Sequence, residues 1–179
     1  MFGVISLILL FIFIYVLSHW IYKTYFYFPL ITPEQLRERC VIITGASRGI
    51  GEELAYAYSR YGCRLVLAAR SIDVLENRVA KECTRQGATD VRCVEFDASK
   101  EEACNELIEK TIEFYQRIDI LILNHTMASY EQFLDNDLTE NIEQMKKHFD
   151  TNFFAYFYLG KTRICFDYFR RMNCFRFSV

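Results

Sequence analysis

Beyond residue 39 the chain alternates short apolar runs with amphipathic stretches. The runs fall at 41–43, 64–70, 91–96 and 118–123. Each is too short for a helix and rich in β-branched or aliphatic residues, so each predicts a strand. The second, with Leu65, Val66, Leu67, Ala68 and Ala69, is apolar throughout and suits a parallel strand covered on both faces. Between the runs, apolar residues return at helical spacing and predict helices over 50–61 (Leu54, Ala55, Tyr58, Tyr61), 71–86, 100–117 and 130–148. Gly62 and Gly87 read as helix stops, Ser71 as an N-cap, and Asp97 or Ser99 as the cap of the third helix. Strand and helix in alternation predict an α/β chain built on a parallel sheet.

The first 22 residues break this rhythm. From Met1 to Tyr22 there is no Asp, Glu, Lys or Arg, about the length a helix needs to cross a bilayer. Trp20, Tyr22, Tyr25 and Tyr27 gather beside Lys23 like an interfacial aromatic belt. Residues 1–23 are therefore expected to form a single-pass membrane anchor. A cleaved signal peptide fits less well, because the basic start and the small-residue cleavage site are missing. Lys23, Arg37 and Arg39 lean the following domain towards the cytoplasmic side. Both prolines, Pro29 and Pro33, fall in a connector over 24–34, where they oppose helix continuation.

Composition changes the picture only by exclusion. The 179 residues leave room for one domain plus an appendage, and a net charge of −2 gives no basic face for nucleic acid. Seven cysteines lie scattered without Cys-x-x-Cys spacing or paired histidines, which indicates no metal site.

Chemistry concentrates at the end of the first strand. There Thr44-Gly45-Ala46-Ser47-Arg48-Gly49-Ile50-Gly51 joins strand to helix. Glycines allow a sharp turn and let a phosphate approach the free N–H groups of a helix start, where the dipole favours negative charge. The alternative is an ordinary strand-to-helix loop. At the end of the second strand, where an NAD site usually carries an acidic residue, stand Arg70 and Ser71. A guanidinium there suits the 2′-phosphate of NADP(H), with Arg48 as a second cation. Solvated charges are the other reading of both arginines.

The spacing Thr-Gly-x-x-x-Gly-x-Gly, the strand-end Arg70 and the segment Leu121-Ile122-Leu123-Asn124-His125 together resemble the short-chain dehydrogenase/reductase family. Within it they look like the membrane-anchored, 11β-hydroxysteroid dehydrogenase-like branch, over residues 33–161. The resemblance implies a Rossmann-type doubly wound sheet, here its N-terminal part of four or five strands, over residues 35–161. It implies NADP(H) held by Gly45, Ser47, Arg48, Gly49, Ile50, Gly51, Arg70, Ser71, Asp97, Ala98 and Asn124, with Asp97 on the adenine amino group. Asn152 matches the catalytic asparagine, in a segment Phe149-Asp150-Thr151-Asn152 similar to the family's. It further implies a steroid or other lipid alcohol or ketone as substrate, a homodimer, and the endoplasmic reticulum membrane.

Asn124-His125-Thr126 departs from the family's usual Asn-Asn-Ala-Gly and also matches a glycosylation pattern. The resemblance gives Asn124 a structural place beside the cofactor, and His125, without a partner in sequence, reads as structural. The larger departure is that no tyrosine is followed four residues later by lysine; Tyr158 and Lys161 are three apart. That pair supplies the family's proton transfer, the lysine lowering a phenol pKa that is otherwise near 10. Residues 162–179 read as a divergent tail in which Ser178 sits poorly for the catalytic serine, as in a truncated form. Two functions are therefore expected: a membrane-anchored NADP(H)-dependent oxidoreductase, or a non-catalytic form that binds NADP(H) at most or pairs with a full-length relative. The fourth strand (Ile120, Leu121, Ile122, Leu123) should then be an exposed apolar edge, leaving the domain marginally stable.

Overall fold

The computed structural model describes residues 2–26, 32–127 and 138–161, with side chains over 10–24, 32–127 and 141–161. The first turns of the helix expected over 130–148, and the tail with Ser178, lie outside the described residues. The chain divides into two compact units, Met1–Thr32 and Pro33–Val179.

In the first unit, α1 (Phe2–Ile21) is a 20-residue helix continued by a π turn, Tyr22–Phe26. Its described side chains, among them Phe11, Phe13, Tyr15 and Trp20, are exposed. Among the described residues no helix is long and apolar enough to cross a membrane.

The second unit opens with one helical turn, α2 (Pro33–Leu36), and then builds a sheet of four parallel strands. These are β1 (Cys40–Thr44), β2 (Arg64–Ala69), β3 (Asp90–Glu95) and β4 (Ile120–Ile122). Their order is β3-β2-β1-β4, so the chain steps outward twice and then returns to the other side of β1. Val41 stands beside Leu65 on one side and Ile120 on the other. The crossovers are α3 (Gly49–Ser59), a composite helix of α4 (Ile72–Val74), a π turn Leu75–Val79 and α5 (Ala80–Gln86), and α6 (Glu101–Tyr115). The last helix is α7 (Leu138–Phe149), which runs through a π turn, Asp150–Phe154, and on over 155–161.

Period-two alternation sends side chains of one strand into two cores, one per face of the sheet. Ile42, Val66, Ala68 and Val94 meet Cys104, Leu107 and Ile108 of α6 together with Ala155 and Leu159. Val41, Ile43, Leu65 and Leu67 meet Ala55 of α3 and Leu75, Val79 and Cys83 of the composite helix. Each fully buried leucine or isoleucine contributes about 1.5–3 kcal/mol, which explains why β1 and β2 are apolar at consecutive positions.

The amino-terminal ends of β1 and β4 are tied by one carboxylate. Asp119 accepts from the Cys40 N–H at 2.9 Å, from Arg39 at 2.7 Å and from Arg117 through two nitrogens. Its partial burial would raise the carboxyl, but these donors win and hold it down at about 2.

Several local expectations are corrected. Ser71 occupies the N-cap position of α4 but its side chain makes no cap bond; its carbonyl instead accepts from the Leu75 N–H. Lys100, not Asp97 or Ser99, precedes α6, because the Asp97 carboxylate is used one step earlier, on the N–H and hydroxyl of Ser99. Gly87 does close α5 with a φ of +113°. α3 ends at Ser59, and Gly62, with a φ of +68°, serves the turn into β2. Strand β4 is shorter than the run over 118–123. Its residues are half-buried, and among the described residues it pairs only with β1.

Candidate functional site

A cleft of about 840 Å³ opens at the carboxyl ends of all four strands. Its floor is where β1 and β4 diverge in chain order, the place where open α/β sheets bind ligands because two loops leave in opposite directions.

The glycine turn forms one lip. Gly45 leaves β1 with a φ of +67°, and its N–H and that of Ala46 donate to the Ala68 carbonyl at 2.8 and 3.3 Å. Gly49, with a φ of +61°, starts α3, and nothing lies within 4 Å of where its Cβ would stand. Gly51 is the opposite case: a Cβ there would meet the Gly45 oxygen at 2.2 Å and Asn124 Nδ2 at 2.6 Å. Gly49 is therefore required by conformation and Gly51 by space. The Asn124 amide lies 3.4 Å from the Gly45 carbonyl, so the residue in the glycosylation pattern is turned inward against the glycine turn.

Thr44 binds the two lips together. Its hydroxyl donates to the Ile122 carbonyl at 3.2 Å and accepts the N–H groups of Asn124 and His125 at 3.0 and 3.3 Å. His125 Nδ1 sits 2.7 Å from the same oxygen, and the ring packs between Phe96 and Tyr156. Burial lowers the imidazole to about 4, so it is neutral at physiological pH. Its Nε2 is buried, with the Thr151 backbone as the neighbouring polar group, which offsets only part of the effect of burial. A ring enclosed in this way holds the loop and is not set to take a proton from a ligand.

The other wall carries charge. Arg48, Arg70, Ser71 and Arg78 line it, with Asp97 and Ala98 at the end of β3. No hydrogen bond or ion pair engages the side chains of Arg48 and Arg70 among the described residues. Burial tends to raise the Asp97 carboxyl, yet the two bonds from Ser99, with Lys100 and Arg70 nearby, keep it below its ordinary value. The acid is thus an ionised acceptor with Lys100 and Arg70 close by.

Of the residues singled out from the sequence, Gly45, Ser47, Arg48, Gly49, Ile50, Arg70, Ser71, Asp97, Ala98 and Asn124 all line this cleft. Gly51 lies beneath it. Asn152 does not line it: its amide is engaged by the backbone of Met127, accepting from the N–H at 2.8 Å and donating to the carbonyl at 2.7 Å. In this chain Asn152 positions the loop after β4, helped by Tyr156, whose hydroxyl donates to the His125 carbonyl at 2.5 Å. Sequence reading missed Ala69, Val74, Arg78, Phe96, Thr126, Met127, Lys147 and Thr151 as lining residues, and His125, read as structural, also lines the cleft. For Val74 and Arg78 a signal existed, since they follow Ser71 at helical spacing and share its face.

Comparison with known proteins agrees with this geometry. The short chain dehydrogenase family profile matches residues 39–170. An Arabidopsis thaliana protein named 11-beta-hydroxysteroid dehydrogenase 1A is 38% identical over 146 residues, 82% of this chain and 40% of its own length. A Sesamum indicum protein named 11-beta-hydroxysteroid dehydrogenase B is 34% identical over 158 residues, 86% of this chain and 40% of its own length. The chain thus spans about two fifths of the length of these curated relatives. Among solved structures, an alcohol dehydrogenase from the archaeon Thermococcus sibiricus, complexed with 5-hydroxy-NADP, superposes with a TM-score of 0.62. It is 30% identical, and the match covers 74% of this chain and 54% of that one. With the parallel 3-2-1-4 sheet, the glycine turn and these matches together, the chain belongs to the short chain dehydrogenase family.

Proposed function

We propose that the cleft binds NADP(H), with the pyrophosphate over the glycine turn and the adenosine 2′-phosphate against Arg48 and Arg70. The observation that carries this is the pair of guanidiniums on one wall that no hydrogen bond or ion pair engages among the described residues. Unneutralised guanidiniums cost little at a solvated wall and gain most when a dianionic phosphate accepts from them in bidentate fashion. Asp97 and Ala98 would receive the adenine edge, and Asn124 would stand beside the nicotinamide ribose. Bound there, the coenzyme would give hydride to a carbonyl carbon in its reduced form or take hydride from a carbinol carbon in its oxidised form. The hydroxysteroid names of the curated relatives support a steroid or other lipid alcohol or ketone as the substrate class. We read the apolar stretch from Met1 to Tyr22 as a membrane anchor, in keeping with such a substrate, and place the protein at the endoplasmic reticulum as a homodimer.

A second reading is that this polypeptide binds the coenzyme without turning it over. No Tyr-x-x-x-Lys occurs among its residues, and Asn152 is committed to Met127. Titrating the full chain in detergent with NADPH and with NADH, followed by nicotinamide fluorescence, tests the binding. Saturation with NADPH at least tenfold tighter than with NADH is expected, and equal or absent binding by a folded sample would end the proposal. Oxidation of bound NADPH on adding steroid ketones separates the two readings.

A further inference from the structure

The composite helix after β2 brings a third guanidinium to the charged wall, and the site as proposed leaves it without a task. Arg78 lies in the π turn Leu75–Val79 and lines the cleft beside Ser71 and Val74. Its Nη2 donates to the Ser47 carbonyl at 2.7 Å and to Glu52 Oε2 at 2.9 Å. The other oxygen of Glu52 accepts from the Tyr56 hydroxyl at 2.7 Å, so the carboxylate that grips Arg78 is itself gripped. One corner of a planar, five-donor fork is thereby fixed, while Nε and Nη1 donate to nothing among the described residues.

Two consequences follow from charge and rigidity. The Arg78–Glu52 pair is close to neutral as a unit, so it adds little long-range attraction for any anion and little to a nucleotide that ends in a plain ribose. At hydrogen-bonding range the unused edge still offers N–H donors, and their orientation is already set, which lowers the entropy lost when a phosphate accepts from them. Arg48 and Arg70, which no hydrogen bond or ion pair engages among the described residues, provide attraction; Arg78 provides a pre-aimed edge.

Resting on the NADP(H) reading above, we propose that Arg78 is a further specificity-determining residue, which selects for a phosphate on the adenosine 2′ position through the unused edge of a guanidinium clamped between Ser47 and Glu52. A charge-assisted hydrogen bond contributes about 1.5–3 kcal/mol, so its loss should weaken such a ligand roughly tenfold or more.

The test isolates the adenosine end of the coenzyme. The full chain in detergent, wild type and R78Q, is titrated calorimetrically with adenosine 2′,5′-bisphosphate and with adenosine 5′-monophosphate. The proposal expects R78Q to lose about tenfold on the bisphosphate and to stay within threefold on the monophosphate. Equal losses on both would make Arg78 a brace of the Ser47 turn alone, and no loss on either would make it a surface charge; both results overturn the proposal. If R78Q does not keep the wild-type circular dichroism, R78K, which keeps charge and reach but not the fork, decides instead. It should fall between wild type and full loss on the bisphosphate only, and wild-type affinity there is a refutation. Failure of the wild-type chain to prefer the bisphosphate would strike the NADP(H) reading itself, a separate outcome read before any variant is made.

Discussion

Replacing Gly51 by alanine adds one methyl group at the tightest point of the site. The new Cβ would stand 2.2 Å from the Gly45 oxygen, 2.6 Å from Asn124 Nδ2 and 2.9 Å from the Gly45 carbonyl carbon. The Asn124 amide can swing away at the loss of its contact with the Gly45 carbonyl, but the Gly45 backbone has no such freedom, being held to Ala68 through its N–H at 2.8 Å. Something of about 1 Å must therefore yield in β1, α3 or both. Overpacking of this kind costs about 1–3 kcal/mol, and a strained or broken hydrogen bond about 1 kcal/mol more. Alanine returns up to about 1 kcal/mol as the better helix former. The net is a loss of about 2 kcal/mol, roughly a thirtyfold shift towards unfolding in a chain of ordinary marginal stability. Urea denaturation of the full chain in detergent, followed by far-ultraviolet circular dichroism, reads it, and NADPH affinity should fall more than tenfold alongside. Gly49→Ala is the control, with a positive φ but open space, and should lose only about 1 kcal/mol. A G51A variant as stable as wild type, or less damaged than G49A, would refute the steric reasoning.

Other outcomes are expected from the same structure. Arg48→Ala and Arg70→Ala should each weaken NADPH about tenfold and leave NADH within threefold, as read by nicotinamide fluorescence. His125, lowered to about 4 by burial against an ordinary 6.5, lets the unfolded chain bind a proton first. Stability should therefore fall as pH drops from about 6.5 to 4 and level off below, by about 3 kcal/mol at most, a slope that urea midpoints should show and that H125N should largely lack. Asp119 works lower: its contribution is fully present above its ordinary 3.8 and fades as pH falls towards about 2. Since Arg39 is 46% exposed, D119N should cost only about 1 kcal/mol at neutral pH in the same assay. Asn152→Ala should speed amide exchange at Met127 about tenfold by removing its acceptor, and unchanged exchange would show that the clasp is not made in solution.

How much of this was legible beforehand divides by range. The strands could be read because Val41 to Ile43 and Leu65 to Ala69 are apolar at consecutive positions, which only a sheet covered on both faces demands. The glycine turn could be read because conformation and space each leave a mark on sequence. The place of Asn152 could not be read. Its partner, Met127, lies 25 residues away along the chain, and nothing in either residue announces that an amide will close on a backbone. Cap positions failed for a related reason: Ser71 and Asp97 had nearer claimants for their oxygens or the wrong backbone angle, which residue type alone does not disclose. Arg78 was overlooked because a charged residue on a helix is ordinarily solvated, and only the meeting of two crossovers puts Ser47 within its reach.

The bonds that tie the end of β1 to the loop after β4 join residues far apart in sequence. Thr44 to Asn124 spans 80 positions and His125 to Thr44 spans 81; at the opposite end of the same two strands Cys40 to Asp119 spans 79. Loop closure grows costlier with length, and pairings of this separation form after local ones. β1, β2 and β3, linked by single short crossovers, are placed to associate first, and β4 completes the site at the end. Binding competence then marks the last step of folding: a nucleotide added during refolding would find no site until β4 has docked, and would thereafter hold the finished sheet against reopening at that strand.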